Sequence, residues 1–199
     1  MLETLAISQI VLWIAVLGLA AVVFALIRQI GVLHERIAPM GALTIDRGPA
    51  TGDQSPVFDL ADIRQRPVSI GAPAVDGRST LLVFVSPDCP VCKKLLPVVK
   101  SIARNESSLR VVFASDGDRA EQERFLQAQH IEDYPLVLSP ELGMTFRIGK
   151  LPYAVLIDEH GTVRAKGLVN TREHLESILT AKELGVASLQ EYLKANRLS

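Results

Sequence analysis

The hydrophobic positions fall into two parts of the chain with different patterns. Residues 5–27 form an apolar run of 23 residues that contains no charged side chain. At about 1.5 Å of rise per residue, a helix of this length crosses a hydrocarbon core of roughly 30 Å. The pattern therefore predicts a transmembrane anchor over residues 1–30.

A cleaved signal peptide is the alternative interpretation of this segment. Such a peptide has a basic start, a shorter apolar core and small residues at its cleavage site. Here Glu3 is the only charged side chain before the run, and the run is too long. These features favour an uncleaved anchor.

Arg28 and Arg36 follow the anchor, and the positive-inside tendency then weakly favours a cytoplasmic location for the rest of the chain.

Beyond the anchor the pattern becomes that of a folded domain. Residues 31–52 contain Gly, Pro and mixed charges without periodicity, which is typical of a linker. Residues 53–185 then alternate between strand-like and helix-like segments. Thr80–Ser86 and Leu109–Ala114 are continuous apolar runs, the pattern of strands that are buried on both faces.

Helices are predicted after both of these strands. One begins in the segment 87–92 and ends near Ala103. The second covers Asp118–His130, with Asp116 or Asp118 available as the N-cap.

The end of the domain predicts an antiparallel hairpin. Tyr153–Asp158 and Thr162–Val169 have strand patterns, and the three residues between them end in Gly161. A helix is expected from Thr171 to about Lys182, followed by a short C-terminal helix within residues 186–199. This order predicts an α/β fold in which helices flank both faces of a mixed sheet.

Composition narrows the classes of function. The net charge is −1, so nothing indicates a basic surface for nucleic acid. The chain has only two cysteines, Cys89 and Cys92, which excludes a scaffold of several disulfides and a four-cysteine zinc site. No bound cofactor is expected.

The two cysteines form a Cys-Pro-Val-Cys motif at a predicted strand-to-helix junction. Unpaired N–H groups and the positive end of the helix dipole stabilise a thiolate at this position. Pro90 suits the first helical turn, where no N–H donor is needed. Cys92 lies one turn further on, close enough to attack a mixed disulfide and release the partner. Cys89 is therefore the predicted nucleophile and Cys92 the resolving thiol.

Metal binding is the main alternative for the motif, because many zinc sites contain the same spacing. It would need two further ligands, and the only histidines are scattered along the chain: His34, His130, His160 and His174. Two purely structural cysteines would be expected within a strand and not on a turn. The residues favour redox chemistry and no metal site, although metal delivery stays as a remote alternative.

With these residues in place, the chain resembles the thioredoxin-like superfamily. Pro97 matches the proline of the thioredoxin active-site helix, and Leu151-Pro152 matches the cis-proline loop that faces the dithiol. The stretch IGKLPYAVLIDEHGTVRAKGLV is similar to membrane-bound thiol–disulfide interchange proteins of the TlpA and peroxiredoxin-related branch. The resemblance covers roughly residues 50–180. It implies a thioredoxin-like fold in which Leu151 and Pro152 bind the substrate.

A narrower resemblance links the uncharged anchor, SPVFDL and FVSPDCPVCKKLLP to the MauD family of methylamine utilisation proteins. It implies a protein that forms or isomerises disulfides in a disulfide-rich periplasmic client, the small (β) subunit of methylamine dehydrogenase. It also implies a single-pass protein of the inner membrane whose domain faces the periplasm, where disulfides persist, against the weak charge bias. The implied partners are the client, a membrane redox partner and the lipid bilayer.

Two departures from thioredoxin leave the direction of electron transfer open. Val83 stands where thioredoxins carry a buried Asp that assists deprotonation of the second thiol. The Pro-Val dipeptide is neither the Gly-Pro of thioredoxin nor the Pro-His of strong oxidants. The alternatives are an oxidant or isomerase, a reductase of the cytochrome c maturation type, and a redox-inactive chaperone. Peroxidase activity is disfavoured, because Leu82 occupies a position where the peroxiredoxin pattern has Pro.

Overall fold

A computed structural model describes residues 7, 9, 12–20, 22–24 and 48–184. The chain divides into two compact units, Met1–Ile45 and Asp46–Ser199. The described residues of the first unit are helical and exposed. Among the described residues, no helix is both long enough and apolar enough to cross a membrane. The predicted anchor and linker lie largely outside the described residues, and the predicted C-terminal helix over 186–199 lies wholly outside them.

The second unit contains a two-stranded and a five-stranded sheet. In the small sheet β1 (Phe58–Ala61) and β2 (Pro67–Ile70) are antiparallel. The main sheet has the order β5-β4-β3-β6-β7, formed by β3 (Ser79–Phe84), β4 (Leu109–Ser115), β5 (Leu136–Leu138), β6 (Tyr153–Ile157) and β7 (Val163–Leu168). Strands β3, β4 and β5 are parallel, whereas β6 is antiparallel to both β3 and β7. The predicted mixed sheet and its C-terminal hairpin are confirmed.

Four helices connect or follow these strands: α1 (Pro90–Asn105), α2 (Arg119–Gln129), α3 (Pro140–Thr145) and α4 (Arg172–Leu184). Helices α1, α2 and α4 confirm the prediction, with bounds that differ by one or two residues. Of the two candidate caps for α2, Asp118 is the one used, and its side chain accepts the N–H of Glu121 over 3.0 Å. The short helix α3 was not predicted.

Strand β3 is the centre of the domain, and all six of its residues are buried. Leu81 and Val83 point into a core that includes residues of α1, α2 and α4. Leu82 and Phe84 point the other way, into a second core that includes residues of β1, β2 and α3. Helices therefore lie on both faces as predicted, but on the second face a short helix shares the space with the small sheet.

The packed part of this unit begins before residue 53, within the predicted linker. The N–H of Gly52 donates to the carbonyl of Val163 over 2.8 Å. The ammonium of Lys166 donates a hydrogen bond to the carbonyl of Gly48 over 3.5 Å. Residues 48–52 are thus held against β7.

Candidate functional site

The dithiol lies where β3 passes into α1. Cys89 is the N-cap of α1, and its sulfur accepts the backbone N–H of Cys92 over 3.1 Å. A disulfide joins the two residues, whose Cα atoms are 5.2 Å apart. Cys89 is half-buried, whereas Cys92 is 0% exposed. A thiolate that approaches from solvent therefore reaches the sulfur of Cys89 and not that of Cys92.

A tight turn and a proline set the start of α1. The N–H of Cys89 donates to the carbonyl of Ser86 over 3.1 Å, and the N–H of Asp88 donates to the Ser86 hydroxyl over 3.3 Å. Pro90 is the first helical residue, and the first turn of α1 contains no acidic residue. The unpaired N–H groups at this helix end therefore favour a thiolate on Cys89 without opposition from a carboxylate in that turn.

The surroundings of Cys92 are apolar. Its side chain belongs to a core cluster with Val85, Leu96 and Ala154. Val83, at the position of the buried Asp of thioredoxins, is 0% exposed in the same cluster and supplies no proton acceptor. Such an environment disfavours a thiolate on Cys92 and suits the role of a resolving thiol. Of the two sulfurs, only that of Cys89 combines exposure with stabilisation at the helix end.

The Leu151–Pro152 peptide bond is cis, as the resemblance implied. The carbonyl of Pro152 accepts the N–H of Val169 over 3.1 Å, which attaches this loop to the end of β7. Pro152 is buried, whereas Leu151 is 38% exposed. The loop therefore presents Leu151, and not the proline ring, to solvent.

A cavity of about 570 Å³ lies beside Cys89 and is also lined by Leu151. Phe84, Val85 and Ala114, in or next to the ends of β3 and β4, line the cavity together with residues within 139–151. Three charged residues line it: Asp116, Arg147 and Lys150. The sequence predicted only Cys89 and Leu151 of this set. Of the other lining residues, those within 139–150 had one sequence signal: they directly precede the predicted cis-proline loop in the chain.

Metal ligands do not gather anywhere in the part of the chain that is described: no group of three or more His, Cys, Asp or Glu side chains is placed to hold an ion. His130 ends α2, His160 lies in the β6–β7 turn and His174 lies in α4. His34 lies outside the described residues.

Comparison with known proteins connects this site to a family. Residues 50–182 match the Redoxin family. Over 190 residues the chain is 51% identical to the methylamine utilization protein MauD of Paracoccus denitrificans, a match that covers 96% of this chain and 94% of that protein. The chain belongs to the MauD family. The MauD proteins of Methylorubrum extorquens and Methylophilus methylotrophus are 50% and 46% identical to it, covering 96% and 94% of this chain and 93% and 88% of theirs.

Solved structures show the fold of this MauD-family chain. StoA from Bacillus subtilis superposes with a TM-score of 0.54 at 27% identity, over 66% of this chain and 99% of that one. The thioredoxin domain of a thiol-disulfide oxidoreductase from Bacteroides vulgatus gives a TM-score of 0.54 at 18% identity, over 64% of this chain and 96% of that one. The thioredoxin-like fold and the resemblance to MauD are both confirmed.

Proposed function

We propose that this MauD-family chain is a thiol–disulfide oxidoreductase that forms or isomerises disulfides in the small (β) subunit of methylamine dehydrogenase. The observation that carries the proposal is the unequal pair of sulfurs, with Cys89 accessible at the N-cap of α1 and Cys92 buried behind it. The family supports the client, because the relatives are methylamine utilization proteins.

Disulfide formation begins with the Cys89–Cys92 bond oxidised. A client thiolate attacks the sulfur of Cys89, the bond to Cys92 breaks, and its electron pair leaves on the Cys92 sulfur, which takes up a proton. A second client thiolate then attacks the client sulfur of the mixed disulfide, and the electron pair leaves on Cys89. Two electrons pass from the client to the cysteine pair, while the client gains one disulfide; the client thiols lose their protons to solvent as they ionise, and Cys92 takes its proton from solvent.

Isomerisation uses the reduced pair. The Cys89 thiolate attacks a non-native client disulfide and forms a mixed disulfide, which frees one client thiolate. That thiolate, or another in the client, attacks a different client sulfur until the native pairing releases Cys89. No net electron transfer occurs on this route. When Cys92 attacks the mixed disulfide instead, the client leaves as a thiolate in reduced form and the Cys89–Cys92 disulfide is formed.

The proposal places the domain in the periplasm, held at the inner membrane by the N-terminal segment. The uncharged run over residues 5–27 supports the anchor, since its length matches a bilayer core of roughly 30 Å. An oxidising compartment supports the periplasmic side, because disulfides are rare where thiols are kept reduced. Repeated client oxidation then requires a separate thiol oxidant, a membrane redox partner that returns the pair to its disulfide.

Client docking at the cis-proline loop is part of the same proposal. Leu151 is exposed and lines the cavity that opens beside Cys89. The carbonyl of Pro152 is already occupied by Val169. The client backbone is therefore expected to bind at Leu151, where an extended chain reaches Cys89.

The test is client maturation in a strain whose own copy of the gene is deleted. We expect the wild-type chain to restore the native disulfides of the client, and Cys89→Ser and the Cys89→Ser/Cys92→Ser double variant to fail at equal protein level. The double variant separates exchange from chaperone action, because a chaperone needs neither sulfur. Native client disulfides with the double variant would overturn the proposal.

A further inference from the structure

We propose that the cavity beside Cys89 is a specificity groove, in which Arg147 and Lys150 select client segments that carry an acidic side chain near the reacting cysteine. The inference rests on the proposed exchange function and deepens it by naming the chemistry of the segment. The groove is defined by the residues that line the cavity, from the ends of β3 and β4 and from residues 139–151.

Three of the large exposed hydrophobic side chains belong to the dithiol motif or to the groove. Within residues 48–182 five large hydrophobic side chains are exposed: Val57, Val75, Val91, Met144 and Leu151. Val91 lies between the two cysteines, while Met144 and Leu151 line the groove. Exposed apolar side chains that gather at one place mark a surface for binding. Met144, at 69% exposure, is the most open of those in the groove.

The charges in the groove are unpaired and mostly positive. Arg147 and Lys150 are exposed, and among the described residues their side chains make no hydrogen bond or ion pair. Five other arginines do pair with carboxylates: Arg66, Arg78, Arg119, Arg164 and Arg172. Asp116 is the one carboxylate among the described lining residues. With two cations and one anion, the groove has a net positive charge, which complements an acidic segment.

The backbone fixes the position of Arg147 in the lining of the groove. Phe146, 2% exposed, packs on Phe84 with ring centroids 6.0 Å apart. Arg147 follows with a left-handed φ of 53°, and the N–H of Ile148 closes the turn on the carbonyl of Gly143 over 2.9 Å. A left-handed φ is uncommon for a residue with a side chain. The buried Phe146 therefore anchors this turn. The side chain of Arg147, the next residue, is exposed and lies outside the core.

The occupant we infer is an extended segment of the client protein. One of its apolar side chains contacts Met144 and Leu151, and an Asp or Glu close to its cysteine pairs with Arg147 or Lys150. Such contacts affect which partner binds and how fast it associates more than they affect the exchange reaction at the sulfur. Every dithiol attacks as a thiolate and carries the same charge at its reacting sulfur, so the rate ratio between an acidic and a neutral peptide isolates the effect of the acidic side chain.

The experiment measures rate constants for reduction of the Cys89–Cys92 disulfide in the full-length chain. The reductants are two dithiol peptides that differ only by Glu→Gln near the reacting cysteine, and dithiothreitol. We expect the wild-type chain to react roughly three- to tenfold faster with the acidic peptide, the size of one or two exposed ion pairs. In Arg147→Gln/Lys150→Gln this ratio is expected to fall to about one, while the rates with the neutral peptide and with dithiothreitol change by the same factor.

A matched variant, Arg78→Gln/Arg104→Gln, removes the same charge elsewhere. Arg78 precedes β3 and Arg104 lies in the last turn of α1, so both lie away from the dithiol, which follows β3 and begins α1. This variant is expected to keep the wild-type ratio. A wild-type ratio near one, a ratio that persists in Arg147→Gln/Lys150→Gln, or its equal loss in the matched variant overturns the groove. Failure of every reductant, dithiothreitol included, instead overturns the exchange function.

Discussion

The sulfur of Cys89 accepts the backbone N–H of Cys92 over 3.1 Å, while the side chain of Cys92 itself is 0% exposed. One turn of helix therefore separates a sulfur that meets solvent from one enclosed by apolar side chains. The two thiols of the reduced protein are expected to differ in reactivity for this reason.

Alkylation of the reduced protein measures that difference. We expect Cys89 in Cys92→Ser to react with iodoacetamide at least about tenfold faster than Cys92 in Cys89→Ser, since thiolate stabilisation and exposure both favour Cys89. Rates are followed by mass spectrometry at pH 7. Equal rates would show that the helix end and burial do not set the roles of the two sulfurs.

The reduction potential of the pair decides the direction of electron transfer. A thiolate on Cys89 is favoured at the start of α1, whose first turn holds no acidic residue, and a stabilised thiolate makes the pair more oxidising. We expect a value more positive than about −270 mV, the potential of thioredoxin. Equilibration with glutathione buffers measures it. A value at or below that of thioredoxin would favour the reductase alternative.

Much of the fold could be predicted because its longest elements carry strong local signals. The apolar runs of β3 and β4 and the alternating hairpin of β6 and β7 were found within one or two residues. Strand β5 has three residues and α3 has six, too few for a periodic pattern to stand out. Strands β1 and β2 have four residues each; none of the four residues of β1 and only two of those of β2 are buried.

The candidate site, like the fold, could be predicted only in part. Cys89, Pro90 and Cys92 could be predicted as site residues because their spacing at a strand-to-helix junction has a local meaning, and they do lie at the start of α1. Arg147 and Lys150 follow no motif, and their place beside Cys89 depends on how residues 139–151 fold back across the ends of β3 and β4. Sequence patterns do not specify such tertiary positions.

An ion pair ties α4 to the β6–β7 turn. The ammonium of Lys182 donates to Glu159 over 2.7 Å and to the Ser79 hydroxyl over 2.6 Å. The hydrogen bond from Lys182 is the main cause that lowers the pKa of Glu159 from 4.5 to about 2. Both side chains are about one-third exposed, so we expect Lys182→Met to cost only about 0.5–1 kcal/mol of unfolding free energy at pH 7.

The pH dependence of this cost has a definite sign. Because the folded-state pKa of Glu159 is depressed, its stabilisation is present above about pH 4.5 and is lost as the pH falls toward 2. The difference between wild type and Lys182→Met in urea unfolding should therefore shrink between those values. Lys94→Met, at an exposed position of α1, serves as the control with no such trend. A cost that is constant from pH 7 to pH 2 would contradict the pairing.

Two glycines pack against each other where the small sheet meets the β6–β7 turn. Gly161 has a φ of 82° and Gly71 a φ of 85°, and a side chain on Gly161 would collide with the carbonyl of Gly71. We expect Gly161→Ala to lower the unfolding free energy by roughly 1–3 kcal/mol, from the left-handed backbone and the collision together. Gly167→Ala in β7, where nothing lies within 4 Å, is the matched control. Equal stability of the two variants would rule out this close approach.

Covalent capture of the client tests the central claim most directly. Cys92→Ser leaves the accessible sulfur of Cys89 without its resolving partner, so a mixed disulfide with the client should persist. We expect mass spectrometry to find the small subunit of methylamine dehydrogenase bonded to Cys89, released by dithiothreitol, and absent from Cys89→Ser. If Cys92→Ser is folded and present at the wild-type level yet captures no client, or if Cys89→Ser captures the same client, exchange through Cys89 is contradicted.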